Sequence, residues 1–185
     1  MRLDQFNNSA FDRGRSPLVE ALWLLAQAIF VSSSIPGGWH RITLLRLFGA
    51  KVGRGVVIKP RVRVKFPWRL EIGDFSWIGE DAWIDNLAKV TIGSHSCVSQ
   101  GVYLCTGSHD WSGQGFDLVV APILVEDNVW IAAKGIVGPG VEIGSGAVLA
   151  LGSVATSNLK SNWIHAGVPA KPLRERATVS QGIKP

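Results

Sequence analysis

A chain of 185 residues is long enough for one domain with a real apolar core and a modest extension, and too short for two independent enzymes. Its 21 glycines, 8 tryptophans and single tyrosine exclude a disordered polypeptide and argue against a helical bundle, pointing to short strands and tight turns. The net charge of +5 is unevenly placed, because residues 21–70 contain no Asp or Glu while Arg41, Arg46, Lys51, Arg54, Lys59, Arg61, Arg63, Lys65 and Arg69 all fall there.

In chain order, the first predicted element is a helix. Ser16-Pro17 supplies an N-cap and a proline at the first helical position, the apolar run 18–31 is interrupted only by Glu20 and Gln27, and Pro36-Gly37-Gly38 stops it. The run is too short to span a bilayer comfortably. A signal peptide fits poorly, with Asp4 and Asp12 ahead of the run and Glu20 inside it. The expectation is an amphipathic or core-docking helix, followed by a second short helix over 39–48 that ends at Gly49. Residues 1–50 thus form an N-terminal helical extension.

The basic block that follows seeks an anionic partner. No nucleic-acid motif accompanies it, so no nucleic-acid partner is expected. An anionic membrane surface, touched peripherally, suits a basic block behind an apolar helix. The two cysteines, Cys97 and Cys105, form neither a disulfide framework nor a metal-ligand pattern, which favours a reducing, cytoplasmic setting, with the inner membrane face as a peripheral location.

From Val52 onward an aliphatic residue followed by a small or polar one recurs at six-residue steps. Val52-Gly53 and Ile58-Lys59 are followed by Ile72-Gly73, Ile78-Gly79, Ile84-Asp85, Ile92-Gly93, Val98-Ser99 and Leu104-Cys105. After an interruption the period resumes without a slip at Val125, Ile131, Val137, Ile143, Leu149 and Ala155. Six is neither a helical nor a simple strand period. It fits a triangular coil in which three six-residue faces make one turn, aliphatic residues stack inward, and each coil pairs its backbone with the last about 4.8 Å away. The predicted fold class is therefore an all-β solenoid over 51–160, with the N-terminal helices and a C-terminal cap and tail over 161–185 closing its ends.

The break in period, 106–122, cannot continue a coil and must leave the prism as a loop. Loops on a rigid repeat scaffold are where catalytic groups usually sit, and this one carries His109 near its start. Neutral imidazole is suited to deprotonating a hydroxyl near neutral pH. Cys105 invites a thiol-nucleophile reading but occupies a repeat position. His95 lies on a regular repeat as an outward turn residue, and His40 and His165 are similarly unremarkable.

These repeats, together with Ala166-Gly167-Val168-Pro169-Ala170-Lys171-Pro172, resemble the hexapeptide acyltransferases. Ile84-Asp85-Asn86-Leu87 and Tyr103-Leu104-Cys105-Thr106-Gly107-Ser108-His109-Asp110 look closest to the colanic acid and exopolysaccharide O-acetyltransferases. The resemblance implies a left-handed parallel β-helix with an extruded active-site loop, a homotrimer with sites between prisms, and acetyl transfer from acetyl-CoA to a sugar hydroxyl of an exopolysaccharide or lipid-linked oligosaccharide precursor. No metal is required for that chemistry. It aligns His109 with the catalytic base and Ala133 with a backbone oxyanion donor. Trp130, Ala132, Ala133, Ala150, Leu151, Gly152, Ser153 and Thr156 are expected along the cofactor, with Lys171 and Arg174 at its phosphates. Leu151 departs from relatives that carry a small residue there. Asp85 and Asn86, where the repeat expands from six to eight residues, are expected in the sugar pocket with Glu80 or Asp81, and Trp111 is favoured over Trp83 as the stacking face for a pyranose. The competing readings are a β-helical scaffold or sugar-binding module, and a zinc carbonic anhydrase for which no third histidine joins His95 and His109.

Overall fold

A computed structural model describes residues 2–177, and its core is a parallel β-solenoid. The first face is built from Lys51–Val52, Leu70–Ile72, Val90–Ile92, Ile123–Val125 and Glu142–Ile143. The second carries Val57–Ile58, Trp77–Ile78, Cys97–Val98, Trp130–Ile131, Val148–Leu149 and Trp163–Gly167. The third carries Arg63–Val64, Trp83–Asp85, Tyr103–Cys105, Ile136–Val137 and Val154–Ala155. Coils stack in register, so that Ile58, Ile78, Val98, Ile131 and Leu149 form one column. These side chains are buried, and each Ile, Leu or Val so placed stabilises the fold by about 1.5–3 kcal/mol.

Where the residue after the aliphatic is glycine, the next coil lies against it. A Cβ on Gly73 would stand 2.6 Å from Ser94 N, and one on Gly79 would stand 2.4 Å from Gln100 N. An inward aliphatic position of the first coil escaped the sequence reading. Val64 is buried on the third face of the first coil six residues after Ile58, and the eight-residue step from it to Ile72 breaks the period on its other side.

The N-terminal segment closes the open edge of the first coil. Helix α1 (Pro17–Ala26) begins at Ser16, whose hydroxyl accepts from Val19 N–H, and runs on into a π-helical turn, Gln27–Val31. Trp23 Nε1 donates to Val64 O at 2.9 Å, Gln27 Oε1 accepts from Val64 N–H at 2.6 Å, and Ser32 Oγ donates to Val62 O at 3.1 Å. These bonds occupy backbone groups that an open sheet edge would present to another strand. Helix α2 (Trp39–Leu47) follows, and Arg46 donates to the Val52 and Gly53 carbonyls. At the far end Trp163–Gly167 extends the second face and pairs antiparallel with Ala170–Glu175. The part of the expected tail over 178–185 lies outside the described residues.

Four of the nine cations of the basic block, Lys51, Arg54, Arg61 and Lys65, find carboxylate partners within the solenoid. Lys51 pairs with Glu71 at 2.7 Å, Arg54 with Asp74 at 3.0 Å, Arg61 with Asp81 at 2.8 Å and Lys65 with Asp85 at 3.3 Å. Each partner stands one coil further along the chain. Arg41 is not on the surface at all. It is buried, its guanidinium donates to the carbonyls of Val31, Ser33, Ile35 and Gly37, and desolvation pushes its pKa down.

Candidate active site

The corner between the third and first faces is where the period expands. Its first two passages carry two extra residues each, and at their centres Phe66 and Asn86 are buried, with Thr106 buried above them. Asn86 Oδ1 accepts from Phe66 N–H at 2.9 Å and its Nδ2 donates to Phe66 O at 2.7 Å. Thr106 Oγ1 donates to Asp85 O at 3.0 Å and accepts from Ala88 N–H at 2.9 Å. Asn86 is therefore an internal brace of the corner, and its expected place in the sugar pocket is corrected.

From Thr106 the chain leaves the prism as an ordered antiparallel ribbon, Gly107–His109 against Leu118–Val120, where the sequence led only to a loop. The tip is tied by Asp110, whose carboxylate accepts from Ser112 Oγ and from the Ser112 and Gly113 N–H groups and is held below the usual carboxylate range by those bonds, that from Ser112 Oγ foremost. His109 lies directly opposite Leu118. Its Nδ1 is 2.8 Å from Phe116 O, its ring stacks on the Phe116 ring at 4.1 Å, and the Phe6 ring meets it edge-on at 5.5 Å. With Nδ1–H donated to a carbonyl, Nε2 is the nitrogen left to accept a proton.

Phe6 belongs to an N-terminal arm that crosses the ribbon, where Arg2 N–H donates to Gln114 O at 2.9 Å. Directly opposed residues share a face of the ribbon, so His109, Leu118 and Val120 point the same way. Leu118 and Val120 line a cleft of about 670 Å³ whose polar groups are Asn7, Asn8, Asp12, Arg69, Lys89 and Asp117. None of these was foreseen, because nothing in the spacing of the sequence ties residues 7–12 to a ribbon a hundred positions later.

On the outer third face, Asp85 Oδ2 accepts from Tyr103 Oη at 3.0 Å and its Oδ1 lies 3.3 Å from Lys65 Nζ. Burial, reinforced by Cys105 and the Asp85 carboxylate, pushes the Tyr103 hydroxyl up. Trp83 stacks on Tyr103 at 4.6 Å, and the Arg63 guanidinium lies over its ring at 4.5 Å. Trp111, on the ribbon turn, is 82% exposed.

The corner between the second and third faces carries most of the other expected residues. Glu80, Asp81, Ala132, Ala133, Ala150, Leu151, Gly152 and Ser153 all lie along it, and Trp130 is on the adjoining second face. Ala132 N–H donates to Leu149 O and Lys134 N–H to Gln100 O, whereas the Ala133 N–H takes no partner among the described residues. Trp130 Nε1 donates to Ser99 Oγ at 2.9 Å. Beside it a groove of about 640 Å³ is lined by Lys59, Trp77, Glu80, Cys97, Ser99 and Gln100, of which only Glu80 was foreseen. Asp81 is held below the usual carboxylate range by its hydrogen bonds from Arg61.

Thr156 lies on the ribbon's corner instead, while Lys171 and Arg174 are exposed on the strand that ends the second face. His165, expected as unremarkable, is buried in the inward column above Leu149. His95 stacks on Phe75 at the remaining corner. Within one prism, the His109 ribbon and the Ala133 corner thus stand at opposite edges of the third face.

No family model matches the chain. WcaF of Escherichia coli strain K12, named as a colanic acid biosynthesis acetyltransferase, is 42% identical over 167 residues, which are 90% of this chain and 91% of WcaF. The galactoside O-acetyltransferase of the same strain is 28% identical over 138 residues, 73% of this chain and 68% of its own. A hexapeptide-repeat acetyltransferase from Vibrio cholerae, solved in complex with acetyl coenzyme A, superposes with a TM-score of 0.79 at 27% identity, covering 89% of this chain and 92% of that one.

Proposed function

Because the chain belongs to the hexapeptide-repeat acetyltransferases and so uses acetyl-CoA as donor, we propose that it acetylates a sugar hydroxyl of an exopolysaccharide precursor, with His109 as general base. The observation that carries the reading is the clamp on His109. Its Nδ1 is held by Phe116 O, its ring is fixed between Phe116 and Phe6, and Nε2 is left for chemistry.

In this reading Nε2 takes the proton of the acceptor hydroxyl as its oxygen attacks the acetyl carbonyl carbon. Charge collects on the carbonyl oxygen, where the free Ala133 N–H donates to it. The intermediate then collapses, the carbon–sulfur bond breaks, and the departing thiolate takes the proton back from the imidazolium. An acetyl ester and CoA result, with no acyl-enzyme. The pantetheine arm runs along the corner of Ala132, Ala133, Ala150, Gly152 and Ser153 past Trp130, with Lys171 and Arg174 toward the nucleotide phosphates. Leu151 narrows its thioester end.

The acceptor occupies the groove beside Glu80, adjoining that corner, where carboxylate and amide groups can bond sugar hydroxyls. Since His109 and Ala133 stand at opposite edges of one face, the complete site forms between two copies, and a closed threefold ring gives each copy one such neighbour on each side. The name of the relative WcaF supports an exopolysaccharide acceptor. The enzyme works in the cytoplasm, where it meets acetyl-CoA.

The test is thiol release from acetyl-CoA across a panel of free, nucleotide-linked and lipid-linked sugars. Acceptor-dependent release that yields an acetylated sugar by mass spectrometry is expected. Tight CoA binding with no release for any sugar would replace the enzyme reading with that of a binding scaffold.

A further inference from the structure

The N-terminal cap presents an apolar face that nothing among the described residues covers. Along α1 and the turn that continues it, Trp23, Gln27 and Val31 face the first coil. Leu18, Leu22, Leu25 and Ile29 recur at helical spacing on the opposite side and are 69%, 50%, 59% and 49% exposed. A surface helix in a water-soluble domain turns polar residues outward. Glu20, the sole acid on α1, is instead ion-paired with Arg13, which holds its pKa down.

We propose that this stripe docks on an anionic lipid bilayer, lying in its interface. Charge and length both favour that occupant. The coil next to the cap carries exposed Lys51, Arg54, Lys59, Arg61 and Arg63, and the carboxylates paired with Lys51, Arg54 and Arg61 stand one coil further from the cap. The capped end therefore presents cations toward whatever the stripe meets, as lipid phosphates require. No helix among the described residues is long and apolar enough to cross a membrane, so this one lies on the surface. Trp39, 75% exposed at the start of α2, adds an aromatic side chain suited to the headgroup layer. The inference does not depend on what the acceptor is, and its test uses no substrate.

The purified full chain is floated with vesicles of phosphatidylcholine alone or mixed with phosphatidylglycerol. It is expected to rise with the mixed vesicles only, and less so as salt increases. Leu22→Ser with Leu25→Ser is expected to cut the bound fraction at least about tenfold while the melting temperature and CoA binding hold. Lys51→Gln with Arg54→Gln is expected to weaken binding to the anionic vesicles. A wild-type chain that stays at the bottom of both gradients, or a double leucine variant that floats equally well, would overturn the proposal. So would a double leucine variant whose sedimentation mass falls to that of a smaller assembly, because the stripe would then cover a second copy.

Discussion

His109 has one ring nitrogen held by a backbone carbonyl and the other without a partner among the described residues, and that difference separates chemistry from architecture at the scale of single residues. His109 could be found in the sequence because the six-residue period breaks three residues before it. Asn86 could not, since an eight-residue step between aliphatic positions says that the corner widens and not which way an amide turns. Its Oδ1 and Nδ2 both go to the backbone of Phe66, one coil away. Asn86→Ala leaves the buried Phe66 N–H without a partner and its carbonyl with the Arg69 N–H alone, at a cost of about 1–3 kcal/mol for the orphaned N–H. A clear drop in thermal midpoint with an unchanged acceptor KM is expected. Unchanged stability with a raised KM would return Asn86 to the sugar pocket. Trp83 was equally opaque, because its stacking partners Arg63 and Tyr103 are each twenty positions away and become neighbours only when the coils close.

The coil is the element that turns sequence spacing into contacts. Its period made the aliphatic columns legible but not the pairing of charge, since cations of one coil and their carboxylates in the next appear in the sequence as a basic block followed by an acidic one. The helical cap was legible from Ser16-Pro17 and the apolar run, while the burial of Arg41 was not, because it depends on four carbonyls gathered by the turn before α2. At the other end, His165 fills an inward position, with Nε2 accepting from Lys160 N–H at 3.2 Å and Nδ1 buried without a hydrogen-bond partner among the described residues. Burial pushes its pKa below the ordinary imidazole value of about 6.5. Below that value the unfolded chain takes up a proton that the folded chain refuses, so the neutral ring's contribution is complete above about pH 6.5 and is lost progressively as pH falls toward the lowered folded value. His165→Gln keeps an acceptor without the titration. Thermal melts from pH 7.5 to 5 are expected to fall more steeply for the wild type than for this variant, and parallel curves would show that His165 does not titrate on unfolding.

For the whole molecule, the three-faced prism decides where chemistry is possible. It separates the His109 ribbon from the Ala133 corner by the width of the third face, and the residues read from sequence as one site fall into two groups for that reason. The sequence placed both groups on the solenoid but carried no measure of how far apart the corners are. A site shared between copies makes a sharp prediction. Leu151→Trp fills the thioester end from an exposed position without disturbing the core. Co-assembled with His109→Ala in equal amounts, two inactive variants are expected to recover about a quarter of wild-type activity, because random assembly joins an intact ribbon to an intact corner in that share of contacts. No recovery in verified mixed assemblies would place the whole site within one copy.

The central claim is that His109 carries the proton of the acceptor. Its most direct test is acceptor-dependent thiol release by wild type and His109→Ala at saturating acetyl-CoA, with CoA affinity measured alongside. A loss in kcat of about 10²–10⁴-fold with unchanged CoA binding is the predicted result. Equal turnover in the two proteins would contradict it.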